Sequence, residues 1–158
     1  MKTKKGVKMP RRACEGDAGY DFFAPKDIEL KAGEWVEFGT GVFLDGTEAP
    51  VTSFTRHNAA TGFDETFELR MENWMLLLLP RSGLGFKHAV RLSNTAGVVD
   101  ERYRDEIRCR MTADEDVVIP KGKAYMQGIF VPFLTMSCEV KPEKARKGGF
   151  GSTDEKEE

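Results

Sequence analysis

Cysteine is scarce in this chain and badly spaced for chemistry. Cys14, Cys109 and Cys138 are the only three in 158 residues, no CxxC pair occurs, and the two histidines, His57 and His88, lie far apart. This argues against a disulfide framework or a structural zinc site, and the natural compartment is a reducing cytoplasm. Long hydrophobic runs are missing too. The longest, Trp74–Leu79, is far too short to span a bilayer, so no membrane attachment is expected. The basic N-terminus has no apolar stretch behind it and does not read as a secretory signal. There is no excess of charge of one sign. The formal net charge is −2, and basic residues cluster only at Lys2–Lys8 and Lys141–Lys147. General binding to a nucleic-acid backbone is therefore not expected, and a phosphate ligand would need a local site. Helical periodicity is weak throughout, with Leu84–Ala89 the best short candidate.

What the chain does have is strand signal. Asp27–Leu30 and Glu34–Phe38 flank a tight turn at Lys31–Gly33, and Gly41–Leu44 follows as a short apolar strand. Phe67–Leu79 reads as one long strand, apolar at its C-terminal end. Val98–Val99 and Ile107–Met111 flank charged residues Asp100–Glu106, which reads as a hairpin. Val117–Ile119 and Met126–Phe133 complete the set, with Pro80, Pro120 and Pro132 at strand ends. Many short strands with regular turns predict an all-β sandwich or barrel. Two stretches stand apart. Thr47–Arg70 is polar and lacks clear periodicity, as an inserted loop would be. The segment from Lys141 is rich in Lys, Glu and Gly and too poor in large apolar residues to order itself, which predicts a β domain over 1–140 and a mobile arm over 141–158.

Four constellations have chemical potential. In Arg146–Asp154, RKGGFGSTD, the glycines allow close approach to a ligand, Arg146 and Lys147 supply cations, and Ser152 and Thr153 supply donors; together they suit a polyphosphate, with Phe150 free to stack on a base. A flexible Gly-rich terminus has the same composition. PRSG at Pro80–Gly83 puts a cation and a hydroxyl where a strand ends, which suits phosphate oxygens and equally an ordinary turn. In NTAGVVDERYRDE at Asn94–Glu106, Asp100 is able to orient a water as general base, and Asn94 offers both donor and acceptor to a pyrimidine edge. A solvated hairpin tip is the plain alternative. In DAGYDFF, Asp17 and Asp21 suit a hydrated cation or an Asx turn leading into a strand.

Taken together, and in this order, DAGYDFF (17–23), PRSGLG (80–85), NTAGVVDERYRDE (94–106), MQGIFVPF (126–133) and RKGGFGSTD (146–154) resemble the five motifs of the homotrimeric dUTPase family. The resemblance covers nearly the whole chain outside Thr47–Arg70. It implies a dUTPase-like β jelly roll with a flexible C-terminal arm, and Mg²⁺-dependent hydrolysis of dUTP to dUMP and pyrophosphate. It further implies a homotrimer in which the arm of one subunit closes a site formed by the others. By position, Asp100 matches the carboxylate that orients the attacking water. Tyr103 matches the aromatic under the deoxyribose that leaves no room for a 2′-hydroxyl. Asn94, Gly97, Val98 and Val99 match the uracil-reading hairpin. Arg81, Ser82 and Gly83 match phosphate-binding positions, and Gln127 a residue near the attacking water. Phe150 matches the aromatic capping uracil, while Arg146, Gly151, Ser152 and Thr153 match arm contacts to the nucleotide. Asp21 matches an aspartate linked to Mg²⁺ through water.

The chain departs from the family pattern at Asp105 and Asp154, where glycine is usual, and in the shorter spacing between Arg146 and the paired glycines. A dCTP deaminase would share the fold, but that group carries a catalytic glutamate and an Arg-Ser-Ser stretch in place of PRSG and lacks the GGFGST segment. A protein-binding role for the Thr47–Arg70 insertion, with its Phe54, Phe63 and Phe67, is a further expectation of a different kind.

Overall fold

The computed structural model describes residues 1–45, 50–70 and 73–138. In chain order the elements are β1 (Lys2–Thr3), β2 (Tyr20–Phe23), β3 (Ile28–Leu30), β4 (Trp35–Gly39), β5 (Val42–Phe43), β6 (Val51–Asn58), β7 (Phe63–Arg70), β8 (Trp74–Pro80), α1 (Ser82–His88), β9 (Arg91–Leu92), β10 (Gly97–Asp100), β11 (Arg108–Thr112), β12 (Val117–Ile119) and β13 (Ala124–Pro132). One sheet has the order β10-β8-β13-β2 and another β4-β11-β9; the pairs β1-β5, β12-β3 and β6-β7 complete the set.

The run WMLLLLP becomes the central strand β8, and its lack of alternation has a structural cause. Trp74, Leu76 and Leu78 point inward and are buried. Across the core they join Phe38, Leu92, Cys109 and Met111 of the other sheet, with Phe22 and Met126 beside them. Full burial of each large apolar side chain contributes about 1.5–3 kcal/mol. Met75, Leu77 and Leu79 point to the opposite face and are only half-buried. In register beside them lie Ile129, Val131 and Val98, the last 57% exposed. The outer face of this sheet is thus an apolar strip, the kind of surface a partner covers.

Several expectations need correction. The stretch Thr47–Arg70 is not a loop over its described part, residues 50–70: β6 and β7 pair in unbroken register from Val51↔Arg70 to Asn58↔Phe63. The turn is closed by the Gly62 amide donating to the Asn58 carbonyl at 2.8 Å, with Gly62 at φ 74°. Thr55 and Thr66 meet across the strands at 3.1 Å, and His57 meets Asp64 at 2.8 Å. Period-2 hydrophobicity arises from one-sided burial. This hairpin pairs with no other strand among the described residues, and Val51, Phe63 and Phe67 are exposed, so the pattern had no cause to appear.

The expected strand over Phe67–Leu79 is two strands in different sheets, β7 and β8. The expected hairpin across Asp100–Glu106 is absent as well. β10 pairs with β8, whereas β11 pairs with β4 and β9. The charged stretch is a crossing between the two sheets, because Val99 and Cys109 each enter the core from an opposite side. Lys31–Gly33 does form a turn, with the Glu34 amide donating to the Lys31 carbonyl, but it too is a corner: β3 pairs with β12 and β4 with β11. The helix begins at Ser82, two residues before the expected start, and ends where Ala89 takes a left-handed conformation at φ 51°. PRSG is therefore a strand-to-helix junction.

Candidate active site

The predicted site residues fall into two groups: one at the C-terminal end of β8, and a second from Asn94 to Tyr103, whose strand runs antiparallel to β8 and places Gly97 beside Leu78 but Asp100 beside Met75. At the C-terminal end, Gln127 of β13 stands in register between Leu79 of β8 and Asp21 of β2. Arg81, the first residue past β8, is extended, and its amide donates to the Tyr125 carbonyl at 3.3 Å. Its Nε lies 3.3 Å from Oδ1 of Asp21. The chain then enters α1, and the leading amides of a helix, here those of Ser82 and Gly83, find no partner within it. Both residues are exposed. A guanidinium, two exposed amides, a hydroxyl and a carboxamide gathered here can bind phosphate oxygens from several sides.

Sequence reasoning missed Gly19 in this group. A Cβ on residue 19 would lie 2.6 Å from Oε1 of Gln127, so any side chain there would displace the Gln127 carboxamide. Asp17, by contrast, closes a turn and not an Asx turn: its carboxylate accepts the amide of Cys14, three residues before it, at 2.8 Å, and its own amide donates back to the Cys14 carbonyl at 3.3 Å.

No group of three or more His, Cys, Asp or Glu side chains able to hold a metal occurs among the described residues. The residues present still suit Mg²⁺. That ion keeps several waters and takes its remaining ligands from one or two carboxylates and from substrate phosphates, and Asp21 beside a phosphate site meets that demand.

The second group surrounds a cavity of about 380 Å³ between the sheets, lined by Asn94, Gly97, Arg108, Leu78, Cys109 and Met126 among others. Its volume lies within the range of small-molecule sites, about 300–1,000 Å³. Asn94 is exposed and sits on a turn in which Thr95 has φ 66° and the Ala96 amide donates to the Asn94 carbonyl at 2.6 Å. A mouth with one carboxamide over an apolar floor suits a flat heterocycle. Burial pushes the Cys109 thiol up to about 12, so it is a neutral wall and not a nucleophile.

Past this cavity, β10 sends Val99 inward and Val98 and Asp100 outward. Tyr103 is 9% exposed; its amide donates to the Asp100 carbonyl at 3.0 Å and its hydroxyl to the Glu106 carbonyl at 3.1 Å. Burial, with the charge of Asp105, raises its pKa and keeps that hydroxyl protonated. Glu37 and Arg110 join Arg108 in lining the cavity, another feature that sequence reasoning missed. The Glu37 carboxylate accepts from Arg108 and from Arg110, and Arg110 stacks on Trp35 at 4.1 Å. The hydrogen bond from Arg110 heads the causes that hold Glu37 below the usual carboxylate range.

One chain does not bring Asp100 to the first group. Asp100 is opposite Met75 and Gln127 is opposite Leu79, on flanking strands of β8. Four residue steps and two strand spacings put their backbones about 16 Å apart. Side chains of this length cannot bridge that gap to act on a single phosphorus atom. Arg146, Phe150, Gly151, Ser152 and Thr153 lie outside the described residues.

The dUTPase family model matches residues 57–154. The chain belongs to the dUTPase family. It is 31% identical over 154 residues to the deoxyuridine 5′-triphosphate nucleotidohydrolase of Clostridium acetobutylicum, a match covering 92% of this chain and 88% of that protein. Among solved structures, the dUTPase of Staphylococcus bacteriophage 80alpha with dUPNHPP aligns at a TM-score of 0.62 and 20% identity, covering 95% of this chain and 94% of that one. A mutant dUTPase from phage phi11 of S. aureus, described with a structural Mg(II) ion, aligns at 0.61 and 17% identity, covering 89% and 94%. These likenesses establish the β jelly roll of dUTPases as the fold.

Proposed function

We propose that this dUTPase-family chain hydrolyses dUTP to dUMP and pyrophosphate as a homotrimer whose sites are shared between subunits. The observation that carries the assembly is the separation of Asp100 from Arg81 and Gln127 along β8, reinforced by the apolar strip between them. That strip of Met75, Leu77, Leu79, Ile129 and Val131 suits a subunit contact that would bring Asp100 of one copy to Arg81 and Gln127 of another.

The mechanism follows from this arrangement. Uracil enters the cavity at Asn94, whose carboxamide reads the pyrimidine edge, and the walls at Gly97 and Leu78 fix the ring. Tyr103 lies against the deoxyribose. On the facing subunit Arg81, Ser82 and Gly83 hold phosphate oxygens, and Gln127 steadies the attacking water. The Asp100 carboxylate accepts a proton from that water as its oxygen bonds to the α-phosphorus in line. The bond from the α-phosphorus to the bridging oxygen breaks, and pyrophosphate leaves with that electron pair. Mg²⁺, held through water by Asp21, would neutralise phosphate charge. Positioning and electrostatics supply most of the acceleration in such a transfer. The arm at 141–158 would then cover the nucleotide with Phe150 on uracil and Arg146, Gly151, Ser152 and Thr153 on the phosphates, excluding bulk water.

The direct test is pyrophosphate release with Mg²⁺ from dUTP, dTTP, dCTP and UTP in parallel. Turnover of dUTP is expected to exceed each of the others by at least about a hundredfold, the scale that one unmatched buried polar contact or one clash produces. Equal turnover of dTTP would refute the pyrimidine assignment, and deaminated product from dCTP would refute the reaction.

A second role rests on the β6–β7 hairpin, which pairs only with itself among the described strands and exposes Val51 and Phe63. Docking of a protein partner there predicts that deleting residues 47–70 spares dUTP turnover and abolishes capture of the partner. Loss of turnover on deletion would place the hairpin in catalysis instead.

A further inference from the structure

We propose that Glu106, charged and clamped by Lys4 of the N-terminal segment, is a positioning residue that holds the Asp100–Tyr103 loop in its working shape. The proposal deepens the functional reading above and rests on it for its catalytic consequence.

The loop from Glu101 to Glu106 crosses between the two sheets and belongs to neither β10 nor β11. Tyr103 ties its two ends, donating through its amide to Asp100 and through its hydroxyl to the Glu106 carbonyl. The far end must therefore be fixed for Tyr103 to be fixed. Glu106 does this with its side chain. Its carboxylate accepts the Lys4 ammonium at 2.6 Å through one oxygen and the Gly41 amide at 2.7 Å through the other. Lys4 is itself anchored, since its amide donates to the Gly41 carbonyl at 2.8 Å and β1 pairs with β5. Ile107 continues the seam, its amide donating to Val42 and its carbonyl accepting the Thr40 amide and hydroxyl.

Two glycines make room for the clamp. A Cβ on residue 39 would overlap the Glu106 carboxylate itself. Gly41 has φ 74°, and a Cβ there would come within 2.7 Å of a Val7 methyl. Burial alone would push the Glu106 carboxyl up. The hydrogen bonds from Lys4 and Gly41, with the charges of Lys4 and Arg108, outweigh it and hold the group below the usual carboxylate range. A side chain only 24% exposed, with both oxygens taken, restrains the loop more firmly than a solvated surface pair does.

The experiment compares Glu106→Gln, Lys4→Met, the double variant and Lys4→Arg in the full chain. Two readouts are used: deuterium uptake by the peptide covering residues 101–107, and kcat and KM for dUTP and UTP. The clamp predicts faster uptake in the first two variants and a kcat for dUTP lower by about tenfold, the worth of one charge-assisted hydrogen bond. The ratio of kcat/KM for dUTP over UTP should fall with it, because Tyr103 is displaced. The double variant should be no worse than either single one, and Lys4→Arg should recover most of the loss.

Lys4 is exposed, so Lys4→Met tests the clamp even if Glu106→Gln folds poorly. Unchanged uptake would overturn the clamp. Faster uptake with unchanged kcat and unchanged dUTP preference would make Glu106 merely structural and overturn the positioning role. If the unmodified chain fails to turn over dUTP, the functional reading falls and the catalytic half of this proposal falls with it, while uptake still decides the clamp.

Discussion

Asp100→Asn is expected to lower dUTP turnover by about a thousandfold, within the range for losing a positioned general base. Asn keeps the shape of the side chain and can still donate and accept hydrogen bonds, but it cannot take a proton from the attacking water. The backbone at Asp100 is held by the β8 ladder and by the Tyr103 amide, neither of which the substitution touches. The fold and KM should therefore change little, and the loss should appear in kcat. The measurement is steady-state pyrophosphate release together with a thermal melt. A kcat within about threefold of the unmodified chain would remove Asp100 from the role of base and require another group near the cavity to take it.

Mixing Asp100→Asn chains with Arg81→Ala chains should restore dUTP hydrolysis to two preparations that are nearly inactive alone. Each homotrimer of one variant lacks one half-site everywhere. If Asp100 and Arg81 of a working site come from different chains, exchange of subunits creates sites with both residues intact. Random mixing in equal amounts gives such a pair at about one site in four, so recovery should approach a quarter of full activity. Sites built within one chain would recover nothing, because every chain in the mixture carries a defect. The prediction follows from register, with Asp100 opposite Met75 and Arg81 beyond Pro80 at the other end of the same strand. It needs exchange of subunits, achieved by brief denaturation and refolding of the mixture. The unmodified chain treated alone sets the full scale. Activity that stays at the level of the separate variants would overturn the shared site.

The sequence was informative where local chemistry and order along the chain were enough. Val117–Ile119 emerged with its ends correct, and the strand expected after the turn in DAGYDFF is β2, the motif's own Tyr20–Phe23. It misled where pairing was decided at a distance. Asp100–Glu106 has the charge of a hairpin tip, yet its flanking strands separate to opposite sheets because Val99 and Cys109 are both needed in the core. Val51–Asn58 and Phe63–Arg70 are strands without a buried face, and local pattern cannot report a ladder whose hydrogen bonds are its main support. Glu106 is one charge among many in NTAGVVDERYRDE. Its significance depends on Lys4, 102 residues away in sequence.

By itself, then, the sequence determined the chemical inventory. It supplied the PRSG cation and hydroxyl, the Asn94 carboxamide, the Asp100 carboxylate and the glycines that permit close approach, in an order that resembles one family. Those are properties of residue type and spacing, which the linear chain carries in full. Tertiary structure alone decided that Asp21, Arg81 and Gln127 meet at one end of β8, and that Asn94 opens onto a cavity floored by Leu78 and Met126. It also decided that Asp100 and Tyr103 stand too far from the first group to act with it in one chain. The physical reason is that strand register sets these distances. Register is fixed by burying Leu76, Phe22 and Met126 together, a cooperative outcome of the whole core that no single segment encodes.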